Sequence, residues 1–530
     1  MGALDPERTP ASSKLGHVDS KQQFEGPPPR PSTTGDVDAD QLLQNLGYKS
    51  ELVRSRSTLH VAFMSFVLAA IPYGLATTFS FPLVAGGPVD IFWGWLLVSA
   101  IALCTAASLA EITSIYPTAG GVYYQAFMLA PPEYRRIASW ICGWLFVVGN
   151  VTITLSVNFG TSLFLVSCIN VFEKEPGVGV LEGSSYQVFL IFIALTVVSN
   201  VVSALGNRWL PVLDTAAVYW TFAGTIAIMV TVLAVARNGR RSASFALTHF
   251  EANSGWPSGW SFFVGLLHAG YATSSTGMVI SMCEEVQQPS IQVPKALVYT
   301  IFLNTAAGCI FLLPLVFVLP DIKNLISISA GQPVPFIVKD AVGSSAGAFC
   351  LLIPILVLGV ICGIGCTTAS SRCTWAFARD GAIPGSKLWT KVNRQLDVPL
   401  NAMMLSAAVQ IILGLIYFGS TAAFNAFTGV GVICLTASYA VPIAISLLSG
   451  RKQIRTGSFY LGPLGTVCNV IAILWSLLAL PLFCMPLNVP VTATTANYAA
   501  AVFVVATTVS TVWYWVWGHK NYAGPPVQGE

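Results

Sequence analysis

A long apolar segment near the N-terminus, residues 63–88, is interrupted in its middle. It is long enough to cross a bilayer, but Pro72 and Gly74 stand where a continuous helix tolerates neither well. Lipid offers no hydrogen-bonding partner to freed backbone groups, so a membrane helix is interrupted only where protein or a water-filled cavity satisfies them. The interruption therefore predicts an enclosed polar site inside a helix bundle.

A second segment, residues 261–283, repeats this device about 200 residues later. Its middle, residues 271–277, is small and polar where apolar bulk is expected. Two interrupted helices at corresponding places in two halves of a chain indicate the substrate site of a transporter. A simple kink at Pro72, with the Ser/Thr run packing helices together, is the alternative that the residues leave open. The predicted substrate-binding residues are Tyr73, Gly74, Leu75, Ala76, Thr77 and Thr78 in the first break, and Tyr271, Ala272, Thr273, Ser274, Ser275, Thr276 and Gly277 in the second.

The composition places the chain in a membrane. Hydrophobic residues make up 54% of it and charged residues only 9%, whereas a soluble domain has roughly 25% charged residues. Most of the surface must therefore face lipid. The net charge of +3 is too small to indicate a nucleic-acid partner.

Twelve apolar segments of spanning length predict an all-α integral membrane protein. Segments one to five and six to ten both begin with a broken helix, so we expect a five-plus-five inverted repeat followed by two extra helices. The approximate limits are 61–84, 91–115, 139–168, 186–205, 209–236, 260–283, 297–319, 346–378, 400–418, 423–448, 463–486 and 494–517. The predicted organisation is a disordered cytoplasmic tail over 1–45, a transporter domain over 46–518 and a cytoplasmic tail over 519–530.

The loop charges predict the orientation. If the N-terminus is cytoplasmic, the loops on that side carry most of the loop Lys and Arg residues, as the positive-inside rule requires. We therefore expect a multi-pass protein of the plasma membrane with both termini in the cytoplasm. Its expected partners are a small amino acid or amine, protons and the lipid bilayer, with no required protein partner.

The sequence lacks the phosphate loop of ATP-driven pumps and the histidine motif of zinc hydrolases. There is no GxxxxGK[ST] phosphate loop and no HExxH, so we expect neither ATP-driven pumping nor an enzyme. We also expect no metal and no cofactor.

Ionisable residues inside apolar segments are few and indicate function. His268 lies one turn before the second break and is a candidate proton relay. The alternative is a histidine that donates to the backbone of a neighbouring helix. The other ionisable residues lie towards the predicted cytoplasmic side, where they form a candidate gate: Glu111, Asp214, Glu284, Glu285 and Arg372.

Three stretches carry a family resemblance. They are SLAEITSIYPTAGGVYYQAFMLAPPEYRR (108–136), CEEVQQPSIQVPKA (283–296) and WAFARDGAIPGSKLWTKVNRQLDVPLNA (375–402). They resemble the loops after helices two, six and eight in the amino acid–polyamine–organocation superfamily, and within it those of the fungal amino acid/choline permeases, which include GABA and choline carriers. The resemblance covers about residues 45–520.

The resemblance implies twelve helices in an inverted repeat and the import of a small amino acid or amine, such as GABA or choline, driven by protons. It places the substrate at the two breaks. One departure is that related choline and GABA carriers often have an acidic residue in the second break, where this chain has YATSSTG. A transporter-like nutrient sensor is the alternative function, although the short predicted tails favour transport.

Overall fold

The computed structural model describes residues 58–526 apart from 176–177, 329–330, 420–421 and 493–495, together with 40–41, 43–44 and 46–48. Most of the tail predicted over residues 1–45 lies outside these described residues. Within them, eleven helices are long and apolar enough to cross a membrane. The predicted all-α membrane fold is thereby confirmed, with eleven such helices in place of the twelve expected.

In the first half of the chain, the described residues form helices and one short pair of antiparallel strands. Its strands are β1 (Glu173–Glu175) and β2 (Val178–Gly179). The helices are α1 (Thr58–Ala69), α2 (Ile71–Thr77), α3 (Ser80–Ala85), α4 (Trp95–Thr113, preceded by a π-helical turn at Asp90–Gly94), α5 (Gly121–Leu129), α6 (Arg135–Ile169), α7 (Ser185–Leu205), α8 (Leu210–Val235) and α9 (Ala243–Thr248).

The second half of the chain follows the same pattern of long helices joined by short ones. Its helices are α10 (Ser258–Gly265), α11 (Leu267–Ser274), a 3-10 helix (Ser275–Glu285), α12 (Pro289–Phe317), α13 (Ile322–Ile328), α14 (Val334–Val342), α15 (Ser345–Arg379), α16 (Ser386–Trp389), α17 (Leu400–Gly414), α18 (Ala423–Leu448), α19 (Pro463–Leu482), α20 (Ala499–Trp513) and α21 (His519–Asn521).

The sixth predicted segment explains the difference between eleven and twelve. Over residues 258–285 it is not one helix but three pieces, α10, α11 and the 3-10 helix. None of the pieces is long enough to cross a bilayer, since a spanning helix needs about 20 residues. The interruption that the sequence predicts in this segment is therefore present.

The first segment is also interrupted, but not where unwinding was expected. Ala70 adopts a left-handed backbone with φ 41° and separates α1 from α2. Pro72 then lies in the first turn of α2, where its missing N–H removes no bond within that helix. Residues 73–77 are helical, so the prediction of an unwound chain from Tyr73 was wrong, and the chain leaves the helix again at residues 78–79.

The second break differs from its prediction in the same way. The α-helix is interrupted at Leu266, and after Ser274 it tightens into the 3-10 helix. Residues 271–277 are therefore helical, with the change of helix type inside them. A long 3-10 stretch is uncommon and often marks a hinge or a functional site.

The two broken segments occupy the centre of the bundle. In the most apolar part of the first segment, 89% of the residues are buried, against 11% in the last helix, which begins at Ala499. We call the end of the bundle near Tyr48 and His60 the N-terminal face, and the opposite end, where α3 ends and α10 begins, the far face.

Residues near both ends of the described chain pack on the N-terminal face. Leu43, from the predicted tail, and Tyr48, from the start of the predicted domain, are both buried, and Tyr48 contacts the ring of Tyr124. At the other end of the chain, α21 extends the last helix, and the buried Tyr522 forms a hydroxyl–hydroxyl hydrogen bond of 2.9 Å with Ser139. Residues 519–522 therefore belong to the packed fold, although the sequence predicted a tail from 519.

Candidate functional site at the two helix breaks

A carbonyl released by the first break is bound by the second. In a regular helix the carbonyl of Leu68 would accept from the N–H of residue 72, but Pro72 has none. The Ser275 hydroxyl, on the first residue of the 3-10 helix, donates to the Leu68 oxygen at 2.8 Å. The Cys362 thiol of α15 approaches the same oxygen at 3.6 Å. The first break is therefore completed by residues from two other segments, as the absence of lipid hydrogen bonds requires.

The Tyr73 hydroxyl forms hydrogen bonds between the first break and α6. It donates to the carbonyl of Val157 at 2.6 Å and accepts from the Thr161 hydroxyl at 2.8 Å. The ring is buried and has Tyr271 as a neighbour across the break region. Tyr73 and Tyr271, both predicted site residues, therefore lie together where α2, α6, α11 and α15 meet.

The two breaks touch each other directly. A Cβ added at Gly74 would lie 3.5 Å from the Cβ of Ala272, an ordinary van der Waals distance. Both residues are buried. No substrate-sized space separates the two breaks at this point, so the structure shows the site in a closed arrangement.

The predicted site residues of the second break lie on two different sides of the helix. Ala272 and Ser275 face the first break, whereas Thr273, Thr276 and Gly277 line a cavity of about 30 Å³ beside it. The other polar residues that line this cavity are Thr105, Ser274, Thr436 and Tyr439. A space of this size holds about one water molecule, so it is not a substrate cavity as it stands.

Tyr439 marks the change of helix type in the second break. Its hydroxyl donates to the carbonyl of Ser274 at 2.9 Å, on the last residue of α11. Its ring lies against Gly277, where an added Cβ would come within 2.5 Å of the Tyr439 Cζ. A residue of α18 that the sequence did not single out therefore contributes to the second break.

The outer end of the first break is closed by a side chain from the far face. Gln332 donates its Nε2 hydrogen to the carbonyl of Thr77 at 3.1 Å. Thr77 and Thr78 turn their own hydroxyls back onto carbonyls of α2. Gln332 also lines a cavity of about 340 Å³ on the far face, together with Glu173 and Tyr417. Gln332 therefore belongs both to the lining of this cavity and to the contacts of the first break.

His268 shows the geometry of a packed histidine. It is buried, its ring meets the edge of Phe79 at a centroid distance of 6.1 Å, and the backbone of Leu75 is a hydrogen-bonding neighbour. Its Nε2 has no partner among the described residues. The structure therefore displays the contacts of the alternative reading, and the relay stays a prediction.

Three ion pairs join the candidate gate residues to arginines at the N-terminal face. Glu285 accepts from Arg372 Nε at 2.7 Å, and Glu284 accepts from Arg379 Nη2 at 2.9 Å. Glu111 is paired with Arg451 at 2.6 Å, which connects the end of α4 to the chain after α18. Every member of these pairs is largely buried. The Arg372 guanidinium also donates to Asn207 and Ser371.

Asp214, the remaining candidate, is buried on α8 and is not a member of these three pairs. The gate residues predicted from the sequence do not include Arg379 and Arg451. A signal for them existed, since a buried glutamate needs a cationic partner. Arg379 ends α15 and Arg451 follows α18, both on the predicted cytoplasmic side.

The pair Glu284–Arg379 extends to the N-terminal region of the chain. The Arg379 guanidinium lies 3.9 Å from the centroid of the Tyr48 ring. The hydroxyls of Tyr48 and Tyr123 donate to the Asp380 carboxylate at 3.0 and 2.8 Å. Burial raises the pKa of Asp380 to about 6, although Arg379 and the two hydroxyl bonds act in the opposite direction. Tyr48 therefore packs the N-terminal region against the C-terminal end of α15.

Replacing Ser275 by alanine is expected to impair the first break. The Leu68 carbonyl would keep only the weak thiol contact of Cys362, and a buried carbonyl that loses its partner costs about 1–3 kcal/mol. Because this bond joins the two breaks, we expect a raised KM or a lower uptake rate with a smaller change in the amount of protein at the membrane.

Ser281→Ala is the matched control for this prediction. Ser281 lies on the same 3-10 helix and is buried. Its hydroxyl lies 2.7 Å from the carbonyl of Met278 and 3.2 Å from that of Ala369, away from the first break. It should alter the amount of folded protein without changing KM. Equal KM changes in the two variants would argue against a special role for the Leu68–Ser275 bond.

Comparison with known proteins gives consistent matches over nearly the whole chain. Residues 57–507 match the model of a family described as amino acid permease. The amino-acid permease BAT1 of Arabidopsis thaliana is 31% identical over 504 residues, covering 93% of this chain and 97% of that protein. The polyamine transporter TPO5 of Saccharomyces cerevisiae is 32% identical, covering 85% of this chain and 73% of its own length. The choline transporter of the same yeast is 29% identical, covering 89% and 82%.

Proposed function

Because the chain belongs to the amino acid permease family, we propose that it imports a small amino acid or amine, such as GABA or choline, in a proton-coupled manner. Its relatives are membrane transporters, and the chain is likewise a multi-pass permease and not an enzyme. The relatives' names include an amino-acid permease, a polyamine transporter and a choline transporter. Their named substrates share a nitrogen that is cationic at neutral pH.

One observation carries the choice of site. The carbonyl released by Pro72 meets the hydroxyl of Ser275 from the other break, and Tyr73 and Tyr271 lie beside them. Carbonyls and aromatic faces are groups that attract ammonium, and interrupted helices are where transporters bind small charged substrates. We place the substrate nitrogen at this junction, once the contact between Gly74 and Ala272 opens.

The proposed topology puts the N-terminal face in the cytoplasm and the far face outside a plasma membrane. The three buried ion pairs then form the inner gate, and Gln332 with the 340 Å³ cavity forms part of the outer approach. In this scheme the three helical pieces over residues 258–285 together form the sixth crossing. They bring the eleven long helices to twelve crossings and complete the inverted repeat.

Protons are the proposed coupling ion, as the family resemblance implies. A buried carboxyl in the bundle, that of Asp90, has no partner among the described residues and suits this coupling.

The test is uptake of radiolabelled substrates by cells that express the chain. We expect saturable uptake of at least one member of a panel of amino acids, GABA, choline and polyamines. This uptake should be faster at external pH 5 than at pH 8 and should be abolished by a protonophore. Surface expression without uptake of any panel member would contradict transport and favour the nutrient sensor. Uptake that requires external sodium and survives the protonophore would contradict proton coupling.

A further inference from the structure

Asp90 is a buried carboxyl that neither the predicted site nor the ion pairs use. Only 2% of the residue is exposed, and neither carboxylate oxygen has a hydrogen-bonding partner among the described residues. It begins the π-helical turn that precedes α4. Such turns are rare and occur frequently at functional sites. The sequence does not indicate this burial, because Asp90 lies one residue before the second predicted segment, 91–115.

Three glycines make the space for this carboxyl. A Cβ on Gly265 would overlap the Asp90 Oδ2, and a Cβ on Gly94 would lie 2.8 Å from Oδ1. A Cβ on Gly86 would lie 2.8 Å from the Cβ of Asp90. Gly86 directly follows α3, and Gly265 ends α10. The carboxyl is therefore wedged between the far-face pieces of the two broken segments.

A loop covers this wedge on the far face. The carbonyl of Gly86 accepts from the Glu251 N–H at 3.3 Å, and the carbonyl of Val84 accepts from the Asn253 N–H at 2.8 Å. The ring of Phe250 lies against Gly86. Solvent on the far face therefore has no open path to Asp90 until this loop and α10 move away from α3.

The surroundings supply no positive charge to balance an ionised Asp90. Of the elements packed against its turn, α3 and α10 carry no titratable residue. The titratable residues of α12 are Lys295, Tyr299 and Cys309, and those of α4 are Cys104 and Glu111. None of them is a hydrogen-bonding partner of the carboxyl.

The covering loop carries His249 and Glu251, which pair with each other at 3.3 Å. A carboxylate buried without a partner is strongly disfavoured against its protonated form. The closed arrangement therefore requires Asp90 to be neutral.

We propose that Asp90 is a proton-binding site whose protonation allows α3 and α10 to pack together and close the far face. When these helices separate, the acid meets solvent and loses its proton to it, and one oxygen of the carboxylate must take up a proton again from that solution before closure. The helices then close over the neutral acid. The role in transport rests on the proposed function: after the far face has closed, this proton would leave the carboxyl towards the N-terminal face and so enter with the substrate.

The closing step can be measured without a substrate. Ser261 of α10 is fully buried and bonds the carbonyl of Ala85. A Ser261→Cys reporter should react with a water-soluble thiol reagent only when α10 leaves α3. Labelling at position 261 is followed by mass spectrometry on the purified full chain, and it is corrected for thiol ionisation with a Lys452→Cys reporter at an exposed position.

We expect the corrected labelling rate to rise at least about ten-fold between pH 5 and pH 8. An exposed aspartate is ionised throughout this range, so opening releases the proton that the closed arrangement holds, and a rising pH favours the open state. With Asp90→Asn the rate should stay low and change less than about two-fold, because the closed arrangement no longer requires a proton. Asp90→Ala, which also removes the titrating group, should be equally insensitive to pH if the asparagine variant does not fold.

Glu251→Gln is the matched control, since it removes the nearby loop carboxylate and should keep the ten-fold rise. An equal rise in the Asp90 variants, or none in the parent, would overturn the proposal. Sodium that suppresses labelling at pH 8 only when Asp90 is present would overturn it too, by assigning the site to a metal cation. Failure of the substrate panel, by contrast, would contradict the proposed function and leave this labelling result standing.

Discussion

Arg372→Ala is expected to remove most of the folded protein from the membrane. Arg372 is fully buried and its Nε donates to Glu285 at 2.7 Å. Removing one partner of a buried pair leaves an uncompensated charge and costs about 3–5 kcal/mol, a large part of the usual 5–15 kcal/mol of folding stability. The amount of monodisperse protein, measured by fluorescence-detected size exclusion, should fall several-fold, and the thermal midpoint of what remains should drop.

Two further variants give this prediction its control. Lys452→Ala removes an exposed basic residue from the same face and should match the parent. Arg372→Gln combined with Glu285→Gln removes both charges and should recover much of the protein lost in Arg372→Ala, because no lone charge is buried. Parental levels of Arg372→Ala would show that the pair does not hold the 3-10 helix to α15.

The sequence predicts the helix bundle well because lipid imposes a strong constraint. Spanning length and apolar composition set nearly every segment, and the long third and eighth segments appear as helices from Arg135 to Ile169 and from Ser345 to Arg379. The sixth segment has the apolar composition but not the continuous helix. A hydropathy pattern does not distinguish an α-helix from α and 3-10 pieces in series.

The position of each break is less predictable than its existence. Pro72 correctly indicates an interruption, but the chain bends two residues earlier, at Ala70, because a proline is accommodated in the first turn of the helix that follows it. The carbonyl that is freed therefore belongs to Leu68. Its partner, Ser275, is about 200 residues away, and only the tertiary structure brings the two together.

Some candidate functional ionisable residues are predictable from the sequence, and one is not. Glu111, Glu284, Glu285 and Arg372 were identified because charges are rare in apolar segments. Asp90 was not, because position along a segment does not report burial at a helix end. Asp90 can be buried because Gly265, which belongs to a different segment, has no side chain at the position of the carboxyl.

Gly277→Ala is expected to be far more damaging than Gly74→Ala, although both glycines lie in predicted substrate-binding breaks. Neither has a positive φ, so the demand for glycine comes from close packing. At Gly74 an added Cβ meets Ala272 at 3.5 Å, which is tolerable, but at Gly277 it would come within 2.5 Å of the Tyr439 ring. Forcing the ring aside costs about 1–3 kcal/mol and pulls its hydroxyl from the Ser274 carbonyl.

We therefore expect Gly277→Ala to lose most uptake and Gly74→Ala to retain most of it, with surface biotinylation separating lost protein from lost activity. Gly74→Val, whose branches reach beyond the first contact towards Ala272, should stay at the surface and yet lose uptake, if the contact between the breaks must open for the substrate. Tyr439→Leu in the Gly277→Ala background removes the clashing ring and should restore surface protein beyond the sum of the single effects. Indifference of uptake to both Gly277→Ala and Gly74→Val would show that the junction of the breaks is not where the substrate binds.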